Sequence, residues 1–365
     1  MAPAASGVLI VGGGVAGALL ALALRDRGRS VTLLDASPQA GGGFPASAIS
    51  YGALPGWPLS ANPLAQLSAS AGDAWQLLQK RYGDLGWHGS RLRVQGERPL
   101  LSGLARWLPL PFSQVDSARL MARLPALLAA AGVVHCHGVA QGLAPGNGSD
   151  RPWQVHLGSG ATLMASQLVL AAGSGCAALW PPLRGALGCS WAAVLKLPGF
   201  PAGFGRPAAW LPSRFARVAL EQRSGALLRP EWVVDAGLVP RADGALLGQL
   251  SLIRPVEQAE PPLAAAWAEQ QLRQGLLQQA WALPLAEQPG ELLQASVAFR
   301  PGGLPLVGAW PEAAGLWLFT GFSAGFSQSV VLAPLLADAL CNGAGGQAGH
   351  RLQQLGVWPS WRTLH

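Results

Sequence analysis

Three glycines and one acid near the start of the chain have the types and spacing of a dinucleotide site. Gly12, Gly14 and Gly17 form the pattern G-x-G-x-x-G, and the acid Asp35 follows 18 residues after the last glycine. In this pattern the first glycine permits a tight turn, the second lets the backbone approach a pyrophosphate, and the third lets a helix pack closely on a sheet. Asp35 is placed to accept hydrogen bonds from an adenosine ribose. No Arg or Lys follows within several residues to bind a 2′-phosphate.

The segments around these residues indicate a strand, a turn and a helix. Residues 8–11 are a short apolar run rich in β-branched side chains, as in a buried parallel strand. Residues 18–24 favour a helix, and residues 30–34 favour a second strand that ends at Asp35. The pyrophosphate would then meet the first amides of the helix, which have no partner inside the helix.

A signal peptide or membrane anchor is the alternative for the same stretch, because residues 1–24 carry no charged side chain. A secretory signal has positive charge before its apolar segment, and a spanning helix needs about 20 continuous apolar residues. Residues 1–7 contain no Lys or Arg, and three glycines at positions 12–14 interrupt the apolar run. The nucleotide-binding interpretation is therefore favoured.

The composition of the 365 residues is that of a folded protein. Half of the residues are hydrophobic and 12% are charged, which excludes intrinsic disorder. The net charge of +7 suggests nucleic acid or an anionic membrane as a partner. However, 23 of the 25 basic residues are arginine, and they are scattered through the chain. Binding to nucleic acid is therefore not the favoured interpretation.

The cysteines and histidines predict neither disulfides nor a metal site. The four cysteines lie far apart, with no C-x-x-C pair, at Cys136, Cys176, Cys189 and Cys341. This spacing favours a reducing cytoplasm. His135 and His137 alternate on a predicted strand and share a face, but the sequence offers them no obvious acidic or cysteine partner.

The rest of the chain does not continue the regular alternation of a six-stranded NAD domain. Residues 167–173 form another buried strand that stops at a glycine. Before it, residues 117–131 favour a helix and residues 133–139 an extended segment. The predicted fold class is therefore α/β, a Rossmann-like domain with an inserted α+β domain that contains a mixed sheet.

Two segments near the end of the chain, together with those described above, carry a family resemblance. Residues 295–308 read ASVAFRPGGLPLVG, residues 315–325 read GLWLFTGFSAG, and an apolar helix is predicted over residues 327–340. In this order the segments resemble the glycine oxidase and D-amino-acid oxidase-like family of FAD-dependent oxidoreductases. The resemblance implies an FAD-binding domain over residues 1–62, 112–190 and 299–345, a substrate domain over residues 63–111 and 191–298, and a tail over residues 346–365.

The resemblance implies which residues contact FAD. Those at the phosphates and adenosine are Gly12, Gly14, Gly17, Asp35, Ala36 and Val139. Those beside the flavin are Ser47 and Gly52 of the segment A-S-x-x-x-x-G, Gly173, and Gly321, Phe322 and Gly325 after Thr320. Backbone amides in the last group would stabilise a negatively charged reduced flavin.

The resemblance also implies a reaction and one substrate-binding residue. Arg300 matches the arginine that binds the substrate carboxylate, for which a guanidinium fork is suited. The expected reaction is oxidative deamination or N-dealkylation of a small amine or amino acid, by hydride transfer from the C–H next to the amine to FAD. The electrons would pass to dioxygen or another acceptor, and no catalytic acid or base is assigned.

Three departures from the family leave the substrate open. The family's Asp between R-P and P-x-I-G is missing after Arg300, and Ala324 stands where some relatives have a second arginine. Neither Tyr51 nor Tyr82 falls in the strands predicted within residues 232–252, where related oxidases keep a tyrosine. The alternatives are an FAD-dependent enzyme of tRNA wobble-uridine modification, a quinone-linked amino-acid dehydrogenase, and a non-catalytic protein on this fold.

The inserted region has strand, turn and helix signals of its own. Residues 232–234 and 246–250 favour strands, and residues 240–244 a hairpin turn. A helix is predicted after Pro261 and Pro262. Its apolar stripe is expected to comprise Leu272, Leu276, Ala280 and Leu283.

Overall fold

The computed structural model describes residues 7–36, 45–95, 110–145, 152–255 and 262–360. The strands are β1 (Val8–Val11), β2 (Val31–Asp35), β3 (Ala53–Pro55), β4 (Trp87–Gly89), β5 (Leu92–Gln95), β6 (Phe112–Val115), β7 (Val134–His137), β8 (Ala140–Ala144), β9 (Trp153–Leu157), β10 (Thr162–Ala165), β11 (Gln167–Leu170), β12 (Gly188–Leu197), β13 (Ala209–Pro212), β14 (Glu231–Arg241), β15 (Gly244–Ile253), β16 (Glu291–Phe299), β17 (Leu306–Ala309) and β18 (Leu316–Thr320).

The α-helices connect and cover these strands. They are α1 (Val15–Arg25), α2 (Pro63–Ser68), α3 (Ala71–Tyr82), α4 (Ser117–Ala130), α5 (Cys176–Leu179), α6 (Ala216–Gln222), α7 (Ala265–Leu277), α8 (Gly325–Asn342) and α9 (Gln347–Gln354). Short 3₁₀ turns at Ala46–Ile49 and Gly173–Gly175 lie near the site described below.

The first of two large sheets has six strands, in the order β17-β18-β11-β1-β2-β7. Adjacent strands of this sheet are parallel, except that β17 is antiparallel to β18. Apolar side chains follow one another almost without interruption along β1, β11 and β18, so both faces of the sheet are buried, as is typical of a parallel sheet. One face packs on α1, α3, α4 and α8, and the other on the small antiparallel sheet β10-β9-β8.

A second sheet, mostly antiparallel, has the order β16-β12-β15-β14-β13-β5, with β5 parallel to β13. Leu272 and Leu276 of α7 pack on one face. The other face lies under the segment that contains Ile49 and Tyr51. This mixed sheet beside the parallel one confirms the predicted fold class, while the residue boundaries of the two domains stay a prediction.

Most of the predicted elements are confirmed, with shifted ends. The long C-terminal helix passes through Pro334 without interruption. The stripe predicted for α7 is wrong beyond Leu276, because Ala280 and Leu283 lie outside the helix and Leu283 is exposed. The α-helix ends at Leu277, and Leu283 belongs to a separate 3₁₀ turn, Leu283–Leu285. Pro261, predicted to precede this helix, lies outside the described residues.

Within the described ranges, no helix is long and apolar enough to cross a membrane. The same part of the chain holds no group of three or more His, Cys, Asp or Glu side chains arranged for a metal ion. All four cysteines are free thiols.

Candidate functional site

The carboxyl ends of the parallel strands lie at one edge of the sheet, and the space that the loops border at this edge is called the crevice below. The loops that leave β1, β11 and β18 carry the segments Gly12–Gly17, Gly173–Gly175 and Gly321–Gly325. Since parallel strands end at the same edge of a sheet, these three segments lie together. Ligands of open α/β sheets bind at such an edge.

The first of these segments can be formed only with glycine at two positions. Gly12 has φ of +118°, and a Cβ there would lie 2.3 Å from the carbonyl oxygen of Ala171. A Cβ on Gly17 would lie 1.9 Å from the carbonyl oxygen of Gly12. These two glycines therefore let α1 approach the end of β1.

Two side chains bind amides of this turn, and two other amides stay unpaired. Asp35 accepts a hydrogen bond from the Gly13 amide at 3.2 Å, and Ser47 Oγ accepts one from Val15 at 3.0 Å. Gly14, the residue before α1, has no side chain that could cap the helix. Among the described residues, the amides of Gly14 and Ala16 have no hydrogen-bond partner. These donors at the start of a helix are suited to bind an anion.

Gly52 has a structural reason to be glycine. Its φ is +59°, and a Cβ would lie 1.9 Å from the carbonyl oxygen of Val115. The Val115 amide also donates to the Gly52 carbonyl at 2.9 Å. The close approach of β6 therefore explains this residue, and its contact with a cofactor stays a prediction.

The residues predicted near adenosine lie at the ends of β2 and β7. Ala36 is exposed directly after Asp35. Val139 follows β7, and its carbonyl accepts a hydrogen bond from Gly158 at 2.9 Å. The Val139 amide has no partner among the described residues and so leaves one donor for a ligand.

The third segment ends in the first turn of α8. Ala324 precedes the helix, which has no side-chain cap. The amides of Gly325 and Phe326 have no partner among the described residues. A Cβ on Gly325 would meet nothing closer than Phe322 Cβ at 4.0 Å, and one on Gly173 would meet nothing within 4 Å. The crevice thus has a second uncapped helix N-terminus and backbone that is open to a ligand.

Arg300 lies where the second sheet joins this crevice. It follows β16, and a Cβ on Gly321 would lie 3.7 Å from Arg300 Cβ. Nη1 donates to the carbonyl of Leu304 at 3.2 Å, and the guanidinium lies over Gly303. Partial burial lowers the pKa of Arg300. Arg300 therefore lies beside the segment after Thr320, and its predicted contact with the substrate stays a prediction.

The face of the second sheet opposite α7 carries buried polar groups. The carboxylate of Asp235 accepts hydrogen bonds from the amides of Ala216 and Arg217, at 2.6 and 3.2 Å. Burial raises the pKa of Asp235, against the opposing effect of these bonds. On the neighbouring strand, Gln249 lies beside Asp235 and donates to Ser251 Oγ at 3.2 Å.

Tyr51 reaches this face from the segment after Ser47. A Cβ on Gly237 would lie 2.9 Å from the Tyr51 hydroxyl, so the phenol ring fills the space above that glycine. The hydroxyl is buried and has no hydrogen-bond partner within the part of the chain that the structure describes. Burial raises the pKa of Tyr51, and Asp235 adds to this effect. The sequence alone does not predict this contact, because Tyr51 lies outside the strands of the second sheet along the chain but against one of them in space.

Arg217 of α6 connects the second sheet to the third segment of the crevice. Nη1 lies 2.8 Å from Glu221 Oε1, and Nη2 donates to the carbonyl of Ser323 at 2.7 Å. Arg217 is not among the site residues predicted from the sequence. The only signal was the pair of opposite charges four residues apart, which indicates a helix rather than a site.

One family model matches most of the chain. The DAO family, described as FAD dependent oxidoreductase, matches residues 7–110 and 93–339. No curated protein sequence matches the chain.

Solved structures share the fold at low sequence identity. The iminodiacetate oxidase of Chelativorans sp. BNC1 is 17% identical with a TM-score of 0.67, over 92% of this chain and 95% of that one. The glycine oxidase of Geobacillus kaustophilus is 19% identical with a TM-score of 0.64, over 92% and 94%. The glycine oxidase of Bacillus cereus is 16% identical with a TM-score of 0.68, over 92% and 95%.

Proposed function

Because the chain belongs to the DAO family of FAD-dependent oxidoreductases, we propose that it oxidises a small amine or amino acid that carries a carboxylate. The bond that is oxidised is the C–H next to the amine. The product imine reacts with water to give a carbonyl compound and an amine, and dioxygen or another acceptor takes up the two electrons. The names glycine oxidase and iminodiacetate oxidase each denote a substrate with an amine and a carboxylate, which supports this class.

The two sets of unpaired amides support the binding of FAD along the crevice. Gly14 and Ala16 at the start of α1 offer donors to the phosphates. Gly325 and Phe326 at the start of α8 offer donors, and the positive end of a helix dipole, to the flavin. When bound, FAD supplies the two-electron oxidation of the C–H bond.

Arg300 carries the proposal that the substrate has a carboxylate. Burial of a guanidinium disfavours its charged form, as the lowered pKa of Arg300 indicates. A carboxylate ligand would offset this cost through two parallel hydrogen bonds. The position of Arg300 beside Gly321 would hold that carboxylate at the edge of the crevice and so present the neighbouring C–H to the flavin.

The test measures how tightly simple carboxylates bind to the FAD-loaded protein. Acetate and propionate are titrated while the visible spectrum of the flavin is followed. A hydrogen bond to a charged group contributes about 1.5–3 kcal/mol, so Arg300→Gln should raise the dissociation constant about 10- to 150-fold. Arg300→Lys should raise the dissociation constant less, since lysine keeps the positive charge but cannot form the two parallel hydrogen bonds of a guanidinium.

Arg184→Gln is the matched control because Arg184 is exposed and lies three residues before Leu187, which is close to Gly321. It removes the same charge outside the crevice, so the dissociation constants should change less than twofold. Equal carboxylate affinity in Arg300→Gln, with FAD still bound stoichiometrically, would refute the role of Arg300.

A further inference from the structure

The ion pair of Arg217 and Glu221 is buried beside the crevice. Their side chains are only 17% and 5% exposed. A buried ion pair adds little to stability, because removing both charges from water costs about as much as their attraction returns. The pair therefore calls for an explanation other than the stability of α6.

The hydrogen bond to Ser323 directs the charge of Arg217 at one end of α8. Ser323 lies in the link between β18 and α8, two residues before Gly325. The guanidinium donates to its carbonyl at 2.7 Å. The next amides of the helix, those of Gly325 and Phe326, have no partner among the described residues. A full charge thus adjoins the positive end of a helix of 18 residues.

Asp235 fixes the start of α6 and thereby the position of Arg217. Its carboxylate accepts hydrogen bonds from the amides of Ala216 and Arg217. A continuous set of contacts therefore runs from β14 through α6 to the link before α8.

We propose that Arg217 and Glu221 act as positioning residues that set the electrostatic potential at the start of α8, and with it the reduction potential of the bound FAD. Arg217 adds positive charge at this end of the crevice and Glu221 offsets part of it. A more positive potential favours the reduced cofactor, which carries more negative charge. This inference rests on FAD binding and not on the amine substrate, so its failure would leave the proposed function standing.

The test compares single variants that change the charge in opposite directions. The midpoint potential of the bound FAD is measured at pH 8 by equilibration with reference dyes. Glu221→Gln leaves Arg217 unbalanced and should favour reduction about tenfold, which is about 30 mV for a two-electron couple. Arg217→Gln should shift the equilibrium by a similar factor toward the oxidised form. The double variant should return to within a few-fold of the parent.

Two further variants separate charge from structure. Arg223→Gln removes an exposed arginine at the other end of α6, where Arg223 lies 2.7 Å from Glu231, and should change the reduction equilibrium less than twofold. Arg217→Lys keeps the charge and should stay closer to the parent than Arg217→Gln. Stoichiometric FAD and an unchanged far-ultraviolet circular dichroism spectrum establish that the folds are comparable.

The directions in which the two single variants shift the midpoint potential distinguish an effect of charge from an effect of structure. A purely structural pair would shift the potential in the same direction in both single variants, or in neither, and either result would overturn the proposal. Opposite shifts that cancel in the double variant would support it.

Discussion

The turn after β1 and the second-sheet face beneath Tyr51 both carry polar groups, but they are specified in different ways. In the turn, Gly12 and Gly17 are required because backbone atoms approach within 2.3 and 1.9 Å of where a Cβ would lie. On the sheet face, Tyr51 fills the space above Gly237, and the two residues are 186 positions apart in the chain. The comparison shows that a site formed by backbone leaves a local pattern in the sequence, whereas a site formed by distant side chains does not.

The largest loss of stability is expected from a substitution at Gly17. In an ordinary helix Gly→Ala stabilises by about 1 kcal/mol. Here the new Cβ would lie 1.9 Å from the Gly12 carbonyl oxygen, and overpacking costs about 1–3 kcal/mol or more. Gly17→Ala should therefore lower the free energy of unfolding by about 2 kcal/mol or more and reduce FAD content, as measured by urea denaturation and absorbance.

Gly225→Ala is the control for Gly17→Ala, because Gly225 is exposed and a Cβ there meets nothing within 4 Å. Its free energy of unfolding should stay within about 0.5 kcal/mol of the parent. If Gly17→Ala behaved like this control, the turn would not be set by backbone contact.

An intermediate loss of stability is expected from a substitution at Gly237, where the Tyr51 ring packs. Gly237→Ala would place a Cβ 2.9 Å from the Tyr51 hydroxyl and should destabilise by about 1–3 kcal/mol. After Tyr51→Leu, which removes the outer part of the ring, the same change should cost much less. A double-mutant cycle by urea denaturation measures this coupling. Additive costs would mean that the two residues do not share this space.

The smallest expected effect is the contribution of Asp235 to the pH dependence of the free energy of unfolding. Burial raises the pKa of this carboxyl in the folded protein above its ordinary value of 3.8. The folded state then binds more protons than the unfolded state, so this group's contribution to stability falls as pH rises from 3.8 toward the raised value. The slope is at most about 1.4 kcal/mol per pH unit.

Asp235→Asn should remove that slope, because the amide does not titrate. The free energy of unfolding of parent minus variant, measured by urea denaturation from pH 3 to 8, should therefore decrease with pH over this window. A difference that increased with pH would mean that the carboxylate is stabilised as an anion in the folded state.

The sequence predicted the features that local backbone forms, and it did not predict those that distant side chains form. The strand, glycine turn, helix and acid of residues 8–35 could be predicted because their spacing is local, and because backbone contacts require glycine at Gly12 and Gly17. Arg300 could be singled out because it lies in residues 295–308, one of the segments that carry the family resemblance. Arg217 could not, since its role depends on Ser323, which is 106 residues away. Ala280 and Leu283 were assigned to α7 because a periodic pattern does not mark where a helix stops.

The most direct test of the account compares an amine with and without its carboxylate. Glycine and methylamine, and likewise sarcosine and dimethylamine, are mixed anaerobically with the FAD-loaded protein while loss of the flavin absorbance is followed by stopped flow. We expect at least one carboxylate-bearing amine to reduce the flavin at least about tenfold faster than the matching amine without a carboxylate, the factor that 1.5 kcal/mol from one charged hydrogen bond gives. Equal rates within a pair that does reduce the flavin would contradict it.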